Sequence, residues 1–196
     1  MNSDEQIISG CREGKRKAFS KLFDTYAPVM MGVCMRYCKN RIDAEDVMQD
    51  GFIKVFGQIH KFRGDGSLEG WIKRIMINAA IDSYQANLKH AFHEDVTENK
   101  LSAQIADMDD HCDDDLPPEL QIPHKKLMEM IQELPDGYRM VFNLFAIENY
   151  SHKEIAALLG ISENTSKTQL LKARKALRRK IEAIIEHSHI NRISTV

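Results

Sequence analysis

The sequence is poor in helix-breaking residues and lacks any long apolar run. Its 196 residues include only 5 prolines and 10 glycines. The longest apolar stretch, residues 27–35, is far shorter than the ~20 residues that a membrane-spanning helix requires. The N-terminal residues also show no cationic-then-apolar signal pattern. We therefore expect an all-α protein with no membrane insertion and a cytoplasmic location.

Cysteines are few as well, and they form no four-ligand set. Cys34 and Cys38 lie one helical turn apart, so a metal pair is one interpretation, but no second pair of Cys or His lies nearby. We favour reduced thiols in a core and expect neither a metal nor a cofactor. The sequence also contains no phosphate-binding glycine loop before a helix and no nucleophile elbow. These absences argue against an enzyme.

The net charge of −2 conceals two regions of opposite sign. Residues 94–119 contain ten acidic side chains and one basic side chain, so this segment carries about −9 and the rest of the chain about +7. The same segment loses helical periodicity and ends in prolines. We therefore predict two small helical domains, at residues 1–86 and 123–187, joined by an acidic flexible linker at 87–122 and followed by a tail at 188–196.

The clearest pattern lies at residues 151–181 and predicts two helices around a tight turn. Ser151 and Ser162 are candidate N-caps, and Gly160 supplies the left-handed residue that ends the first helix. One face of the second helix is apolar, at Leu170, Ala173, Leu177 and Ile181. The other faces are polar and basic, as in a helix-turn-helix whose second helix contacts DNA. A merely solvated amphipathic helix is the competing interpretation.

A second pattern is a helix predicted to begin at Asp43. Glu45, Asp46, Gln49 and Asp50 fall together on one side of it. Acidic residues near a helix start are favoured by the helix dipole alone. A docking surface for a basic partner is the other interpretation of this patch.

The third pattern is a glycine-rich loop followed directly by a helix. Gly64, Gly66 and Gly70 predict a loop at residues 62–70, and residues 71–85 predict the helix. Trp71 and the cations after it resemble a platform on which unpaired bases stack while the cations hold the backbone. A core position for Trp71 is equally compatible with the pattern.

Together these motifs resemble the group 4, or extracytoplasmic-function, sigma factors of the sigma-70 family, over roughly residues 5–185. The subregion that docks on the beta prime clamp helices of core RNA polymerase resembles DAEDVMQDGFIKVF. The subregions that open and read the promoter minus-ten element resemble FRGDGSLEGWIKRIMINAAIDSY. The fourth region, which binds the minus-thirty-five element and the polymerase beta flap, resembles LPDGYRMVFNLFAIENYSHKEIAALLGISENTSKTQLLKARKALRRKI.

The resemblance implies roles for individual residues. The polymerase contacts would be Glu45, Asp46, Gln49 and Asp50. The minus-ten strand, with one base flipped out of the duplex, would be contacted by Gly64, Asp65, Gly66, Ser67, Leu68, Trp71, Arg74, Asn78 and Asp82. The minus-thirty-five element would be contacted by Thr165, Lys167, Thr168, Gln169, Leu171, Lys172 and Lys175. The acidic linker resembles the segment that threads towards the RNA exit path of the polymerase.

The implied function is that of a promoter-specificity subunit without a catalytic centre. It would bind core RNA polymerase, direct it to promoter DNA and assist melting, and an anti-sigma factor would be a further partner. Three positions depart from the family pattern: Ser166 replaces an apolar residue, Gly51 lies in mid-helix at a cost of about 1 kcal/mol, and no arginine cluster follows Gln85.

Two rival classes of function remain for comparison. A free-standing helix-turn-helix regulator that dimerises on a palindrome would leave the glycine loop, the Trp71 helix and the acidic linker without a purpose. An enzyme that uses the helix-turn-helix as an accessory is the other rival, and no residue constellation in the sequence suggests one. DNA binding without polymerase would favour the regulator, and turnover without polymerase would favour the enzyme.

Overall fold

The computed structural model describes residues 3–94 and 122–193, and all regular structure in these ranges is helical. The predicted all-α class is therefore confirmed. Most of the predicted acidic linker, residues 95–121, lies outside the described residues. The helices are α1 Ser3–Arg12, α2 Arg16–Tyr37, α3 Arg41–Gln58, α4 Leu68–Glu94, α5 His124–Gln132, α6 Asp136–Phe142, α7 His152–Leu159 and α8 Glu163–Ile193. A 3-10 turn at Ile59–Lys61 follows α3, and a π-helical turn at Asn143–Ile147 follows α6.

Helices α2, α3 and α4 pack against one another, and α1 packs on α2. Asn40 caps α3 because its side-chain oxygen accepts the backbone N–H of Asp43 at 2.9 Å. The helix therefore begins two residues before the predicted Asp43. Gly51 is where α3 approaches α4 most closely, since a Cβ there would lie 2.2 Å from Met76 Sδ. This glycine departs from the family pattern because the close helix packing requires it.

The helix-turn-helix forms as its sequence pattern predicts. Ser151 Oγ accepts the backbone N–H of Glu154, and the Glu154 carboxylate accepts the backbone N–H of Ser151, which completes a capping box. Gly160 ends α7 in the left-handed region with φ 68°. Ser162 Oγ accepts the N–H of Thr165 at 3.0 Å and so caps α8. The predicted apolar stripe is buried, at Leu170, Ala173, Leu177 and Ile181.

Several helix boundaries differ from the sequence prediction. α4 continues to Glu94, eight residues beyond the predicted end of the first domain at residue 86, and α8 continues to Ile193, within the predicted tail. No glycine or proline interrupts either helix after its first turn, so backbone hydrogen bonding propagates. α4 also begins at Leu68, which shortens the predicted loop to residues 62–67. The division into domains stays a prediction.

The N-terminal and C-terminal halves of the chain share one apolar core. Met140, Val141 and Leu144 of the C-terminal half belong to the same buried cluster as Val33 and Ile77 of the N-terminal half. A smaller second cluster joins α5 to α8 and contains Met130, Ile131, Leu134, Ala173, Leu177 and Ile181. The two halves are therefore packed against each other, an arrangement on which the sequence pattern made no prediction.

Candidate nucleic-acid interface

The acidic side of α3 faces solvent. Asp46, Gln49 and Asp50 are exposed, whereas Glu45 is half-buried with its carboxylate 2.7 Å from Arg41 Nε. The structure thus brings the four predicted residues onto one accessible surface. Their carboxylates can attract a basic partner.

Two isoleucines that the sequence reasoning missed lie on the same helix. Ile42 is 71% exposed and Ile53 is 68% exposed. With Asp46 and Gln49 they recur at intervals of four, three and four residues, which places all four on one stripe of a helix. Single exposed apolar side chains are common on protein surfaces, so the stripe is a candidate interaction surface because it combines two of them with the acidic side of the helix. The spacing alone would have revealed this stripe.

The glycine loop borders a cleft. Gly64, Asp65, Gly66 and Ser67 are exposed, and Gly64 adopts φ 85°, which favours glycine. Ser67 Oγ accepts the N–H of Gly70 at 3.0 Å and so fixes the start of α4. The adjoining cleft has a volume of about 650 Å³.

The cleft is walled by cations, by an aromatic ring and by the acidic side chains of Asp65, Glu148 and Glu154. Lys61, Arg63, Lys73 and Arg74 all line it, although only Arg74 was in the predicted set. Trp71 also lines the cleft, and its ring centroid lies 5.5 Å from that of Phe62. Trp71 is half-buried, packs against the core and also lines the cleft, so both interpretations stay open. Aromatic and cationic groups together suit an unpaired nucleic-acid strand.

Four members of the predicted minus-ten set do not line this cleft, and one of them is Gly64 of the loop. Leu68 is only 2% exposed, so its side chain supports the loop from the core. Asn78 is exposed further along α4. The Asp82 carboxylate lies 2.6 Å from Lys54 Nζ of α3, which directs it towards α3.

The second helix of the helix-turn-helix presents most of its predicted residues to solvent. Thr165, Lys167, Lys172 and Lys175 are exposed, and Thr168 and Leu171 are half-buried. These positions face away from the buried stripe of α8, as a major-groove reading face requires.

Gln169 differs from its predicted neighbours. Its side chain lies against Gly137 of α6, where a Cβ would come within 3.0 Å of Gln169 Nε2. Its Oε1 is buried without a hydrogen-bond partner. Gln169 therefore joins α8 to α6, and its amide is only partly accessible.

Ser166 is fully buried, and its hydroxyl lies 2.9 Å from His152 Nδ1 on α7. The His152 ring stacks on Phe145 with 4.5 Å between centroids, and the Arg174 guanidinium lies 5.9 Å from the Phe145 centroid. Burial, together with the nearby cations, lowers the pKa of His152. A neutral imidazole thus links the two helices of the motif. This partner explains why a hydroxyl occupies a position that is usually apolar.

Cys11, Cys34 and Cys38 are buried free thiols, as favoured from the sequence, whereas Cys112 lies outside the described residues. Burial raises the pKa of Cys34 to about 12 and that of Cys38 to about 11. Within residues 3–94 and 122–193, no group of three or more Cys, His, Asp or Glu side chains is arranged to hold a metal ion. In the same ranges, no helix is long and apolar enough to cross a membrane.

Two protein-family models match the chain in the order expected from its motifs. The model described as Sigma-70 region 2 matches residues 22–89, and the model described as Sigma-70, region 4 matches residues 124–177. The first match includes α3, the glycine loop and most of α4. The second includes α5 to α7 and most of the buried stripe of α8.

Similar proteins align over nearly the whole chain. The ECF RNA polymerase sigma-E factor of Haemophilus influenzae is 27% identical over 187 residues, which cover 93% of this chain and 97% of that protein. The RNA polymerase sigma-H factor of Pseudomonas aeruginosa is 26% identical over 192 residues, which cover 96% and 98%. The sigma factor RpoE of Bartonella quintana, solved in complex with the anti-sigma factor NepR, has a TM-score of 0.48 and 17% identity, with 85% of this chain and 98% of that chain covered.

Proposed function

The chain belongs to the extracytoplasmic-function group of the sigma-70 family of RNA polymerase sigma factors, and from this we propose which of its surfaces contacts polymerase and which contact promoter DNA. The protein is a transcription initiation factor, and the core enzyme that it binds performs the chemistry. Three surfaces on α3, α4 and α8 carry the proposed contacts. The observation that supports this most strongly is the presence, in one chain, of an aromatic and cationic cleft and a separate exposed helix-turn-helix face.

The α3 stripe is the proposed polymerase-binding surface. Asp46, Gln49 and Asp50 supply the polar contacts, with Glu45 beside them, and the exposed isoleucines supply apolar area that polymerase would cover. Carboxylates on this surface suit a basic patch on the clamp helices, and they speed encounter by long-range attraction.

The cleft beside the glycine loop is the proposed site for the minus-ten strand. Loop residues 64–67 are exposed and include two glycines, so a base extruded from the duplex can approach the main chain closely. Trp71 offers a stacking surface, and Arg74 offers a cation for the phosphate backbone. Asn78 and Asp82 extend the proposed contact surface along α4, although Asp82 must leave Lys54 to take part.

The exposed face of α8 is the proposed reader of the minus-thirty-five element. Thr168, Lys172 and Lys175 lie near the centre of the face opposite the buried stripe, and Thr165 and Lys167 flank it. Lysines here contribute contacts to phosphates or to base edges. Threonines can contact polar groups on the base edges or thymine methyl groups. Leu171 supplies apolar contact, whereas Gln169 contributes mainly by fixing α8 on α6.

Transcription in vitro with purified core polymerase tests this function. Adding the full chain should produce defined start sites on a promoter-containing genomic library, and core enzyme alone should not. A mobility-shift assay provides the second arm, because the isolated chain should leave duplex promoter fragments unshifted until core enzyme is added. A shift by the isolated chain, with no polymerase-dependent start sites, would identify the free-standing regulator instead.

We also propose a cell location and a regulatory partner for the protein, both from its membership of the sigma factor family. We place the protein in the cytoplasm, since the polymerase and its template are there. An anti-sigma factor is a proposed partner that would cover one or more of the three surfaces. Co-purification of the tagged chain from its source cells, with and without inducing stress, tests for such a partner.

A further inference from the structure

The last residue of α1 reaches across to the segment that carries the glycine loop. Arg12 ends α1, and its Nη2 donates a hydrogen bond to the carbonyl oxygen of Phe62, 50 positions further along the chain. Phe62 immediately precedes residues 63–67 of the loop. A cation in the last turn of a helix is favoured by the helix dipole alone, so one interpretation is that Arg12 only stabilises α1.

The end of α1 is satisfied without the side chain of Arg12. Main-chain N–H groups of the turn that follows the helix already donate to the carbonyls of Ser9, Gly10 and Cys11, at 2.9 to 3.0 Å. Gly14 in this turn adopts φ 73°, the left-handed conformation that commonly closes a helix C-terminus. The guanidinium is therefore available for a partner outside α1.

α1 is itself firmly held, so Arg12 projects from a fixed base. Ile7 and Cys11 on its apolar side are buried in the core. At the other end of the helix, the Tyr26 hydroxyl of α2 donates to the Asp4 carboxylate at 2.9 Å. Because the base is fixed, the guanidinium can hold in place the atom that it binds.

Phe62 is the point at which the chain leaves the core to form the loop. Its side chain is buried, and its ring packs against that of Trp71. Its backbone N–H donates to Ile59 O at 3.3 Å and so closes the 3-10 turn. The ring and the N–H group of Phe62 are thus held from within the core, and Arg12 holds its carbonyl oxygen.

The far end of the loop is fixed separately. Ser67 Oγ accepts the N–H of Gly70, and Leu68 is buried. Between these two ends, residues 63–66 are exposed, and Gly64 lies in the left-handed region. Because no buried side chain determines the course of these residues, the direction in which the chain enters the loop depends on how Phe62 is held.

Arg12 does not line the cleft beside the glycine loop. It lines a separate groove of about 360 Å³, which shares Phe62 and Arg63 with that cleft. Glu5 and Glu13 balance the charge of the two arginines in this groove, so the groove has no net positive charge with which to attract a phosphate. An effect of Arg12 on the DNA strand would therefore pass through the loop.

We propose that Arg12 is a positioning residue for the glycine loop and holds it in the conformation that accepts a base extruded from the minus-ten strand. Its bond to Phe62 O orders the entry of the loop before the promoter arrives, which reduces the cost of ordering the loop during melting. Arg12 lies outside residues 22–89, which match the Sigma-70 region 2 model. This inference rests on the proposed function, since it concerns the same loop.

Open-complex formation by the holoenzyme tests this role. The template is a promoter that the wild type uses with core polymerase, with 2-aminopurine in the non-template strand of its minus-ten element. The fluorescence of this base rises when it leaves the stack. Arg12→Gln removes the charge and shortens the side chain, so the melting rate should fall about tenfold, as expected for the loss of a hydrogen bond from a charged group. Core binding and minus-thirty-five protection should stay at the wild-type values.

A matched control is Arg16→Gln. Arg16 is exposed at the start of α2 and lines neither the cleft nor the groove, so the same chemical change there should leave the melting rate unaltered. Arg12→Lys keeps a cation with a shorter reach and should lose less than Arg12→Gln. Circular dichroism should show native helix content in all variants, which separates a misplaced loop from unfolding.

Two results would overturn the proposal. Wild-type melting by Arg12→Gln would show that the loop does not depend on this bond. A salt slope of promoter binding that falls by about one in Arg12→Gln would show that Arg12 contacts a phosphate directly, whereas a positioning role leaves the slope unchanged. Core-dependent transcription by the wild type is scored first, so failure of the proposed function is distinguishable from failure of this inference.

Discussion

Replacing Gly51 with alanine tests the close approach of α3 to α4. A Cβ there would lie 2.2 Å from Met76 Sδ and 3.0 Å from Met76 Cε, and Met76 is fully buried. Alanine gains about 1 kcal/mol of helix propensity over glycine, whereas forcing volume into a packed core typically costs ~1–3 kcal/mol. Because the Sδ atom would have to move by about 1 Å, we take the upper end of that cost. We expect a net loss of about 2 kcal/mol of stability.

Urea denaturation followed by circular dichroism measures this loss. Gly32→Ala is the matched control, since Gly32 lies inside α2 and a Cβ there would meet nothing within 4 Å. The control should gain up to about 1 kcal/mol from helix propensity alone. When Gly51→Ala and Met76→Ala are combined, their effects on the free energy of unfolding should be non-additive, because the new Cβ clashes with the Met76 side chain that the second change removes. Equal stabilisation by Gly51→Ala and Gly32→Ala would refute the packing argument.

Four further predictions concern the DNA surfaces and the buried groups. Lys172→Ala should weaken minus-thirty-five protection in footprints and lower the salt slope of holoenzyme binding by about one. Asn78→Ala should slow open-complex formation, measured by permanganate reactivity, more than it weakens initial duplex binding. The lowered pKa of His152 favours the neutral imidazole in the folded protein. The stability that His152 contributes is therefore complete above about pH 6.5 and is lost as pH falls through the folded pKa. Urea unfolding at pH 7.5 and at pH 5.5 measures this difference. Burial raises the pKa of Cys34, so in a Cys112→Ser background Ellman's reagent should react with it only as the protein unfolds.

Each of these predictions has a control and a contrary outcome. Lys125→Ala, on the exposed side of α5, should leave the footprint intact, and unchanged protection in the Lys172 variant would mean that the wrong face of α8 was assigned. Equal losses in melting and in duplex binding would reject the strand-side role of Asn78. If His152→Gln keeps the full pH dependence, another group titrates. Rapid labelling of the native protein would contradict a buried Cys34.

Local features of the helix-turn-helix were predictable because neighbouring residues encode them. The Ser151 cap, the Gly160 turn and the buried stripe of α8 each depend on residues within a few positions of one another. The acidic side of α3 was predictable for the same reason. The positions of Ile42 and Ile53 on the same side follow an equally local rule of spacing, so the sequence contains the information that places them there.

The packing of the two halves left no comparable signal in the sequence. The hydrogen bond from Arg139 to Tyr37 O joins residues 102 positions apart, and the pair of Glu148 with Arg36 spans 112 positions. A single arginine or glutamate follows no periodicity that reveals its distant partner. The packing role of Gly51 could likewise not be predicted from neighbouring residues, because it depends on the contact with Met76 in another helix. These contacts also bring Lys73 and Glu148 into one cleft, and for that reason the sequence-predicted set lacked both.

The exposed stripe on α3 has a thermodynamic consequence for assembly. Ile42 and Ile53 are exposed in the free chain. Under the proposed assignment of this stripe to polymerase binding, their burial contributes to holoenzyme formation and leaves the folding of the free chain unaided. Association of this kind carries a negative heat-capacity change, and its apolar component weakens on cooling. The share of polymerase that this factor captures in competition with others will therefore depend on temperature as well as on its abundance.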